Sequence, residues 1–434
     1  MRNRYLEGNF GPVADEVTVT DLKVTGTLPA WLDGRYLRNG PNPIGADPAT
    51  YHWFTGFGMV HGLRLRDGNA SWYRNRYVRA DDVASALGEE PRGGAEIHFA
   101  DFAANTNVIG QAGRTFAIVE AGGRPYELDD ELETIGRCDF DGTLPGGYTA
   151  HPKLDPVSGE LHAISYYWGW GNQVQYTVID ASGHVRKTVD VATTGSPMLH
   201  DMSLTETYAV VYDLPVVFDL ELAMKGVGLP YRWDNDYPAR VGLLPRDGEA
   251  DDVHWFDIEP CYVFHPLNAY DDGDRVVIEL CRFERMFDEA VVHGPFGNPP
   301  RLDRWTVDIA AGKVIQETID DRPQEFPRVD ERLVGRRHRF GYTVNDDAVF
   351  RHDLVADTST VRSFGPGNGV GEFVMVPSST DAAEDEGVLM GFVYDGERDA
   401  SDLVLLDAAS LESVAAIHLP TRVPFGFHGN WVAE

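Results

Sequence analysis

Four of the 14 histidines in this 434-residue chain lie in segments punctuated by proline and glycine, and they are the strongest candidates for chemistry. The four are His151 in Tyr-Thr-Ala-His-Pro, His200 in Met-Leu-His-Asp-Met, His265 in Val-Phe-His-Pro and His428 in Gly-Phe-His-Gly. Neutral imidazole is the commonest protein ligand for iron, zinc, copper and nickel. A single histidine in an apolar segment is more often structural. The hypothesis of an all-histidine metal site therefore requires a fold that brings all four together.

The elements that would have to do this are short strands. Turn pairs such as Asp67-Gly68 and Asp395-Gly396 separate them, and convincing helices are few, with Asp81–Leu87 and Glu221–Gly226 as the candidates. Many short strands with regular turns predict a closed all-β architecture. The strand-like runs that alternate or are continuously apolar include Gly62–Arg66, Thr115–Glu120, Leu161–Tyr166, Gln175–Ile179, Tyr208–Tyr212, Arg275–Leu280, Leu302–Asp308, Val388–Tyr394 and Leu403–Asp407.

We predict a single β-propeller domain over residues 1–434, because four strands per blade would give seven blades of roughly 60 residues. The innermost strands of a propeller line its axis, so one histidine from each of four inner strands could meet there. Strict WD40 or kelch repeats are not visible. The segment around 215–255 looks inserted, and we predict a cap of loops and short helices over one face. A substrate entrance or a shallow membrane contact is the functional alternative for this cap.

Composition excludes several classes of partner. The formal net charge of −32 argues against nucleic acid and disfavours docking on anionic lipid. There is no apolar run of about 18 residues that would predict a membrane-spanning helix. The N-terminus shows no secretory signal, and the three cysteines lack CxxC spacing, so we expect a reducing cytoplasm. No obligate protein partner is evident from the sequence.

The chain resembles the carotenoid cleavage oxygenase family, which also contains stilbene-cleaving dioxygenases. The order and spacing of the matching stretches are similar to the family from end to end. The resemblance implies a seven-bladed propeller in which the four histidines ligate one Fe(II) on the axis. The matching stretches are Tyr36–Pro43, His52–Phe54, Gly58–Gly62, Tyr148–Lys153, His200–Met202, Phe264–Ala269, Glu325–Asp330, Gly371–Val374 and Pro424–Trp431.

The same resemblance implies three outer glutamates, each of which accepts a hydrogen bond from one histidine. Glu120 would pair with His200, Glu325 with His265 and Glu372 with His428. A ligating imidazole donates its other N–H to a carboxylate, which fixes the tautomer and raises the basicity of the ligand. Four neutral histidines leave the charge of the iron uncompensated, and three outer carboxylates supply the balance. Thr106 matches a family position whose side chain crowds one of the two remaining coordination positions.

The sequence contains no recognisable site for a reductant. There is no dinucleotide fingerprint, P-loop or nucleophile elbow, and the Gly365–Gly371 run fits a tight turn better than a phosphate cradle. The substrate must then supply the electrons itself, which an electron-rich conjugated C=C bond can do. Addition of dioxygen across that bond, followed by scission, would give two carbonyl products.

We expect an apolar, extended substrate, because several aromatic residues fall near the ligand motifs. The candidates for the substrate tunnel are Phe54, Phe57, Tyr166, Trp168, Trp170, Phe287, Phe296 and Phe427.

Two departures from the family pattern bear on specificity. Stilbene-cleaving relatives carry a lysine where this chain has Val119, and their partner tyrosine falls in Leu87–Glu96, which contains no tyrosine. Phe57 stands where the family usually has aspartate, which bears on the local loop and the tunnel width. These departures favour a carotenoid or apocarotenoid over a 4-hydroxystilbene.

Three alternatives remain open. One is cleavage of a stilbene or phenylpropene to an aromatic aldehyde. Another is a propeller that binds a carotenoid or retinoid without turnover, and the last is a metal-free interaction propeller. The presence of all four histidines and all three glutamates speaks against both non-catalytic alternatives, because a binding protein would not need them.

Overall fold

The computed structural model describes residues 2–97, 101, 104–288, 293–294 and 298–434, and strands dominate it. Two short α-helices accompany the strands in these residues, α1 (Asp81–Leu87) and α2 (Leu220–Met224). The 3-10 helices are Arg4–Leu6, Gly8–Phe10, Trp53–Thr55, Trp168–Trp170, Ala250–Asp252 and Glu331–Leu333. None of the helices in the described part of the chain has the length and hydropathy that crossing a membrane requires.

The strands are numbered β1 to β33 in chain order. Strands β1 to β19 are Thr18–Val19, Lys23–Gly26, Gly34–Pro41, Gly58–Arg66, Asn69–Tyr77, Asn107–Gln111, Arg114–Ile118, Tyr126–Leu128, Thr134–Arg137, Lys153–Leu154, Leu161–Tyr166, Gln173–Ile179, Val185–Ala192, Ser203–Leu204, Tyr208–Asp213, Val216–Phe218, Tyr231–Trp233, Arg240–Pro245 and His254–Asp257. Strands β20 to β33 are Tyr262–Asp272, Arg275–Phe283, Arg301–Asp308, Lys313–Asp320, Glu325–Arg328, Phe340–Val344, Ala348–Asp353, Thr358–Ser363, Asn368–Val370, Val374–Pro377, Gly387–Asp395, Ala400–Asp407, Ser413–His418 and Gly429–Ala433.

All of these strands except β16 and β17 form the seven antiparallel sheets of a β-propeller, which confirms the predicted architecture. Blade 1 contains β33, β3, β4 and β5, with β1 at its edge. Blades 2 and 3 are β6 to β9 and β10 to β13, and blade 4 is β14, β15, β18 and β19. Blades 5 and 6 are β20 to β23 and β24 to β27. Blade 7 runs from β28 and β29, which both pair with β30, through β31 and β32 to β2.

Both ends of the chain close the ring. The C-terminal strand β33 pairs with β3 in blade 1, and β2 near the N-terminus pairs with β32 in blade 7. On the inner side, β33 lies beside β6 and β29, and β20 lies between β14 and β24. The innermost strands therefore follow one another around the axis.

The burial of the strands explains why the sequence pattern predicted them. Middle strands such as β11 and β30 belong to blades that are covered on both faces by their neighbours. These strands are almost wholly buried, so their sequences are largely apolar runs. Outer strands such as β13 and β23 have one face toward solvent and alternate. The Asp67-Gly68 turn has φ of 51° and 71°, which is the type I′ geometry of a two-residue hairpin.

The segment predicted as a cap divides into two parts. Its first part forms the hairpin β16–β17 with α2 between the strands, and Asp219 caps α2 by accepting a hydrogen bond from the amide of Leu222 at 2.9 Å. Its second part returns to the propeller and supplies β18 and β19 of blade 4.

Candidate metal centre and its cavities

Each of the seven blades sends one of the predicted metal-site residues toward the axis. Six of these residues lie in the innermost strand of their blade or within three residues of it. The seventh, Glu120, follows β7, the second strand of blade 2. From blade 1 to blade 7 they are His428, Glu120, His151, His200, His265, Glu325 and Glu372.

The four histidines are buried and form one cluster whose candidate ligand atoms all lie within 4.8 Å of one another. The Nε2 atom of His200 lies 3.1 Å from Nε2 of His151 and 3.2 Å from Nε2 of His265. Nitrogens bound at about 2.1 Å and at right angles around one ion are about 3.0 Å apart. The donor set and its spacing therefore fit a single transition-metal ion.

Three of the imidazoles form a hydrogen bond from Nδ1 to a glutamate carboxylate. Nδ1 of His200 lies 2.9 Å from a carboxylate oxygen of Glu120. Nδ1 of His265 lies 2.7 Å from Glu325, and Nδ1 of His428 lies 3.0 Å from Glu372. Hydrogen bonding at Nδ1 directs Nε2 of each ring toward the cluster.

The titration behaviour of the cluster suits ligation. Burial lowers the pKa of His151 and His265 well below its usual value, and the neighbouring imidazoles act in the same direction, so both rings are neutral. Burial raises the pKa of Glu325. At Glu372 burial also acts upward, but Arg328 and His428 outweigh it, and the pKa lies below the usual value.

His151 differs from the other three histidines of the cluster. Its Nδ1 atom lies 3.7 Å from Oδ2 of Asp201, which is itself buried and paired with the Lys153 ammonium at 2.8 Å. Sequence reasoning missed this ion pair. The only sequence signal was that Asp201 follows His200 directly and that Lys153 stands two residues after His151.

An apolar cavity of about 590 Å³ opens over one side of the cluster, with His200, His265 and His428 in its wall. Five of the predicted substrate residues line it, namely Phe54, Val119, Tyr166, Trp168 and Phe427. Sequence reasoning missed other lining residues, among them Phe218, Tyr231, Phe264, Phe283, Met286 and Phe326. Phe264 and Phe326 each adjoin a predicted metal-site residue in the chain, which is a signal that could have found them.

Other predicted tunnel residues lie elsewhere. Phe57 packs against the core shared by blades 1 and 2, and Phe287 is buried behind the wall, 6.2 Å from the rings of Tyr262 and Phe264. Trp170 packs against Tyr167 with ring centroids 5.9 Å apart. Phe296 lies outside the described residues. Residue type and proximity in the chain could not distinguish the wall of the cavity from the core behind it.

Two aromatic rings pack directly on the ligands. Phe264 meets His200 edge-on with centroids 5.0 Å apart, and Phe326 stacks on His265 at 5.4 Å. Phe326 has φ of 51°, a left-handed conformation that costs a bulky residue about 1–3 kcal/mol. That conformation places its ring between the apolar cavity and the imidazoles.

Thr106 also lines the apolar cavity, and two hydrogen bonds fix its position. Its hydroxyl donates to Asn105 Oδ1 at 2.9 Å, and its carbonyl accepts from the amide of His428 at 3.0 Å. The backbone of Thr106 is therefore tied to the segment that carries the fourth histidine, and Asn105 orients its side chain.

A second cavity, of about 720 Å³, lies on the other side of the cluster and is lined from the innermost strands, so we call it the axial cavity. Its wall includes His151, His265 and His428 and is more polar than that of the apolar cavity. The polar residues of this wall include Asn107, Lys153, Asp201, Asn268, Arg328, Glu372 and Asn430.

Fold and site together define a propeller that holds a cluster of four histidines, able to bind a metal ion, between an apolar and a polar cavity. The family model described as retinal pigment epithelial membrane protein matches residues 10–433. Carotenoid cleavage oxygenase of Mycobacterium tuberculosis is 50% identical, over 99% of this chain and 97% of that protein. Carotenoid 9,10(9',10')-cleavage dioxygenase 1 of Pisum sativum is 32% identical, over 100% of this chain and 91% of that protein.

Solved structures agree with these relatives. Lignostilbene dioxygenase of Pseudomonas brassicacearum has a TM-score of 0.90 at 28% identity, over 99% of this chain and 98% of that chain. Cobalt-substituted ACO of Synechocystis has a TM-score of 0.88 at 26% identity, over 98% and 97% of the two chains. The chain belongs to the carotenoid cleavage oxygenase family and is a dioxygenase of the carotenoid oxygenase type.

Proposed function

We propose that this protein is a non-heme Fe(II)-dependent dioxygenase that cleaves a conjugated C=C bond of a carotenoid or apocarotenoid to carbonyl products. The observation that carries the proposal is the four-histidine cluster in the wall of an apolar cavity of about 590 Å³, a size suited to a small molecule. The reaction balances without a reductant, because one alkene and one O₂ contain the atoms of the two carbonyl products.

We assign the ligation of one Fe(II) to His151, His200, His265 and His428. Bound there, the ion would activate dioxygen for reaction with the alkene. Glu120, Glu325 and Glu372 hold three of the rings in the tautomer that presents Nε2. Phe264 and Phe326 pack on the imidazoles of His200 and His265 beside the apolar cavity. Thr106 narrows the space beside the proposed ligands.

The ligand assignment is tested by single replacement of each histidine with alanine. Each variant should lose activity and most of its iron, measured by elemental analysis of purified protein. Near-full iron in two or more of the single variants would contradict the assignment.

The apolar wall of the cavity supports the proposed substrate class. Val119 offers no partner for a phenolate, and an unpaired buried polar group costs about 1–3 kcal/mol, or roughly 5- to 150-fold in preference. A polyene without a buried polar end avoids this cost. A preference for an apocarotenoid over a hydroxystilbene is the expected result.

One observation favours the second candidate, cleavage of a stilbene or phenylpropene to an aromatic aldehyde. The hydroxyl of Tyr231, a cavity residue, is buried and has no hydrogen-bond partner among the described residues. It could bind an oxygen of such a substrate. The solved lignostilbene dioxygenase has the same fold, which also supports this candidate.

Steady-state kinetics of the Fe(II)-loaded protein decide between the two classes. We expect a higher kcat/KM for a β-apocarotenal than for resveratrol, with the aldehydes identified by mass spectrometry. The Tyr231→Phe variant should leave the ratio unchanged. A clear preference for resveratrol, lost in Tyr231→Phe, would establish the second candidate instead.

We further propose a shallow contact with lipid at the mouth of the apolar cavity. Trp168, Leu220 and Met224 are exposed there, and Ala223 of α2 lines the cavity. Binding to uncharged phosphatidylcholine vesicles should fall in a Leu220→Ser/Met224→Ser variant, and equal binding by the two proteins would contradict this.

The three cysteines support a cytoplasmic location. Cys138, Cys261 and Cys281 are buried and free. Fractionation of the producing cell, with the protein recovered in the cytoplasmic fraction, tests this proposal.

A further inference from the structure

The metal centre is asymmetric at one ligand. Three imidazoles have a glutamate oxygen within 3.0 Å of Nδ1, but His151 has Asp201 Oδ2 at 3.7 Å. His151 also faces the axial cavity, whereas His200 faces the apolar cavity. The imidazole without a glutamate is therefore the one of the four that lines the axial cavity and not the apolar cavity.

Asp201 is held rigidly where it stands. Its side chain is 3% exposed, and the Lys153 ammonium lies 2.8 Å from Oδ1 and 2.9 Å from Oδ2. The amide of Met202 donates to Oδ1 at 2.6 Å. A buried carboxylate fixed by an ammonium and an amide is not free to turn away from the imidazole beside it.

The charges around the cluster support a role for this pair. Four carboxylates surround the imidazoles, those of Glu120, Glu325, Glu372 and Asp201, and two cations accompany them, Lys153 and Arg328. When ionised, the six groups carry two net negative charges, which one divalent ion neutralises. Removing Asp201 alone would leave the ammonium of Lys153 uncompensated close to that ion.

We propose that Asp201 is a positioning residue for His151, acting as its outer carboxylate, and that Lys153 holds Asp201 in place and cancels its charge. The proposal rests on the metal centre proposed above. It completes a set in which every ligand imidazole has a carboxylate of its own. It also gives the pair a role beyond joining strand β10 of blade 3 to strand β14 of blade 4.

The test measures metal affinity as well as stability. Full-length protein is stripped with a chelator, Co²⁺ is titrated back in competition with that chelator, and the visible absorption of bound Co²⁺ is recorded. Asp201→Asn keeps the shape and removes the charge, so Co²⁺ binding should weaken about 10-fold or more, with a changed spectrum. Lys153→Met removes the ammonium that holds the carboxylate in place, so Co²⁺ binding should weaken in this variant as well.

Asp155→Asn is the matched control. Asp155 also joins blade 3 to blade 4, through Arg246 at 2.5 Å, but its other partners are Val157 and Ser158, not an imidazole of the cluster. This variant should keep the wild-type affinity for Co²⁺, whatever it does to the melting temperature of the metal-free protein.

Two results would overturn the proposal. These are binding by Asp201→Asn within threefold of wild type, and equal loss in Asp155→Asn, since the second would mean that the pair only joins the blades. Failure of the wild-type protein itself to bind Co²⁺ would be a different result, because it would remove the metal centre.

Discussion

At the scale of single residues, Glu372 is the outer glutamate with the most partners. It accepts from His428 at 3.0 Å and from the amide of Gly429 at 2.8 Å, and the Arg328 guanidinium lies 3.4 Å away. It therefore ties His428 both to its own chain segment and to the cation of the axial cavity.

We expect Glu372→Gln to lower iron affinity and kcat/KM by about 10- to 100-fold, because the amide keeps the size of the side chain but weakens its hold on the imidazole. Iron content and steady-state kinetics measure the effect. Glu331→Gln is the control, since Glu331 also pairs with Arg328 but is half exposed. Unchanged iron occupancy and rate in Glu372→Gln would contradict the role.

At the scale of elements, the segment before β33 must place His428 correctly. Arg38 of β3 donates to the carbonyl of Pro424 at 2.6 Å, and Gly426 packs so closely on it that a Cβ there would lie 1.4 Å from Nη1. A Cβ on Gly40 would lie 2.5 Å from the same atom. The two glycines thus leave just enough room for a buried guanidinium that holds the ligand segment.

Gly426→Ala should displace Arg38 and disturb His428. We expect lower metal affinity and a melting temperature reduced by several degrees, measured by Co²⁺ titration and thermal denaturation. Gly228→Ala is the control, because its Cβ would meet only Thr55 Cγ2, at 3.9 Å. Wild-type affinity in Gly426→Ala would show that Arg38 does not position the ligand.

Blade 5 contains a buried acid that predicts a pH effect on stability. Burial raises the pKa of Glu279 on β21 to about 7, against the opposing effect of Arg304, whose Nε lies 3.0 Å away. The folded state then holds this proton more tightly than the unfolded state. Stability from this group is therefore greatest below about pH 4.5 and falls as the pH rises toward 7, by up to about 3 kcal/mol.

The Glu279→Gln variant should not show this loss. Its melting temperature relative to wild type should rise by a few degrees between pH 5 and pH 8, measured by thermal denaturation. Glu317→Gln serves as the control, because Glu317 pairs in register with Arg304 from the exposed strand β23. A constant difference between Glu279→Gln and wild type across this range would contradict the prediction.

At the scale of the whole molecule, the candidate ligands come from blades 1, 3, 4 and 5, and blade 1 is complete only once β33, which follows His428, has paired with β3. An ion that binds this cluster therefore binds the closed ring and not the open chain. A ligand that binds only the folded state at 100 times its Kd stabilises by about 2.7 kcal/mol.

Adding Co²⁺ to metal-free protein should accordingly raise the melting temperature by several degrees. The His151→Ala variant should lose most of this shift, because one of the four donors is gone. His184→Ala is the control, since His184 is a half-exposed residue on blade 3. An equal shift in wild type and His151→Ala would mean that the ion stabilises the protein from another place.

The sequence by itself determined the strand pattern and the chemistry-bearing residues. Each of the nine strand-like runs overlaps an observed strand, and Leu161–Tyr166 and Asp81–Leu87 have the observed bounds. A strand that is buried between two blades needs apolar side chains on both faces, so it is visible in the sequence as an apolar run. The motifs around the histidines and glutamates also carried the family resemblance, which the family model and the relatives bear out.

Only the tertiary structure decided which side chains meet. Phe57 and Phe287 have the right type and position in the chain, yet they pack into the core, while Tyr231 and Phe326 reach the cavity. Asp201 comes beside His151 because blades 3 and 4 are neighbours in the ring. Local sequence sets the period and burial of each strand, but contacts between residues far apart in the chain follow from how the blades close around one axis.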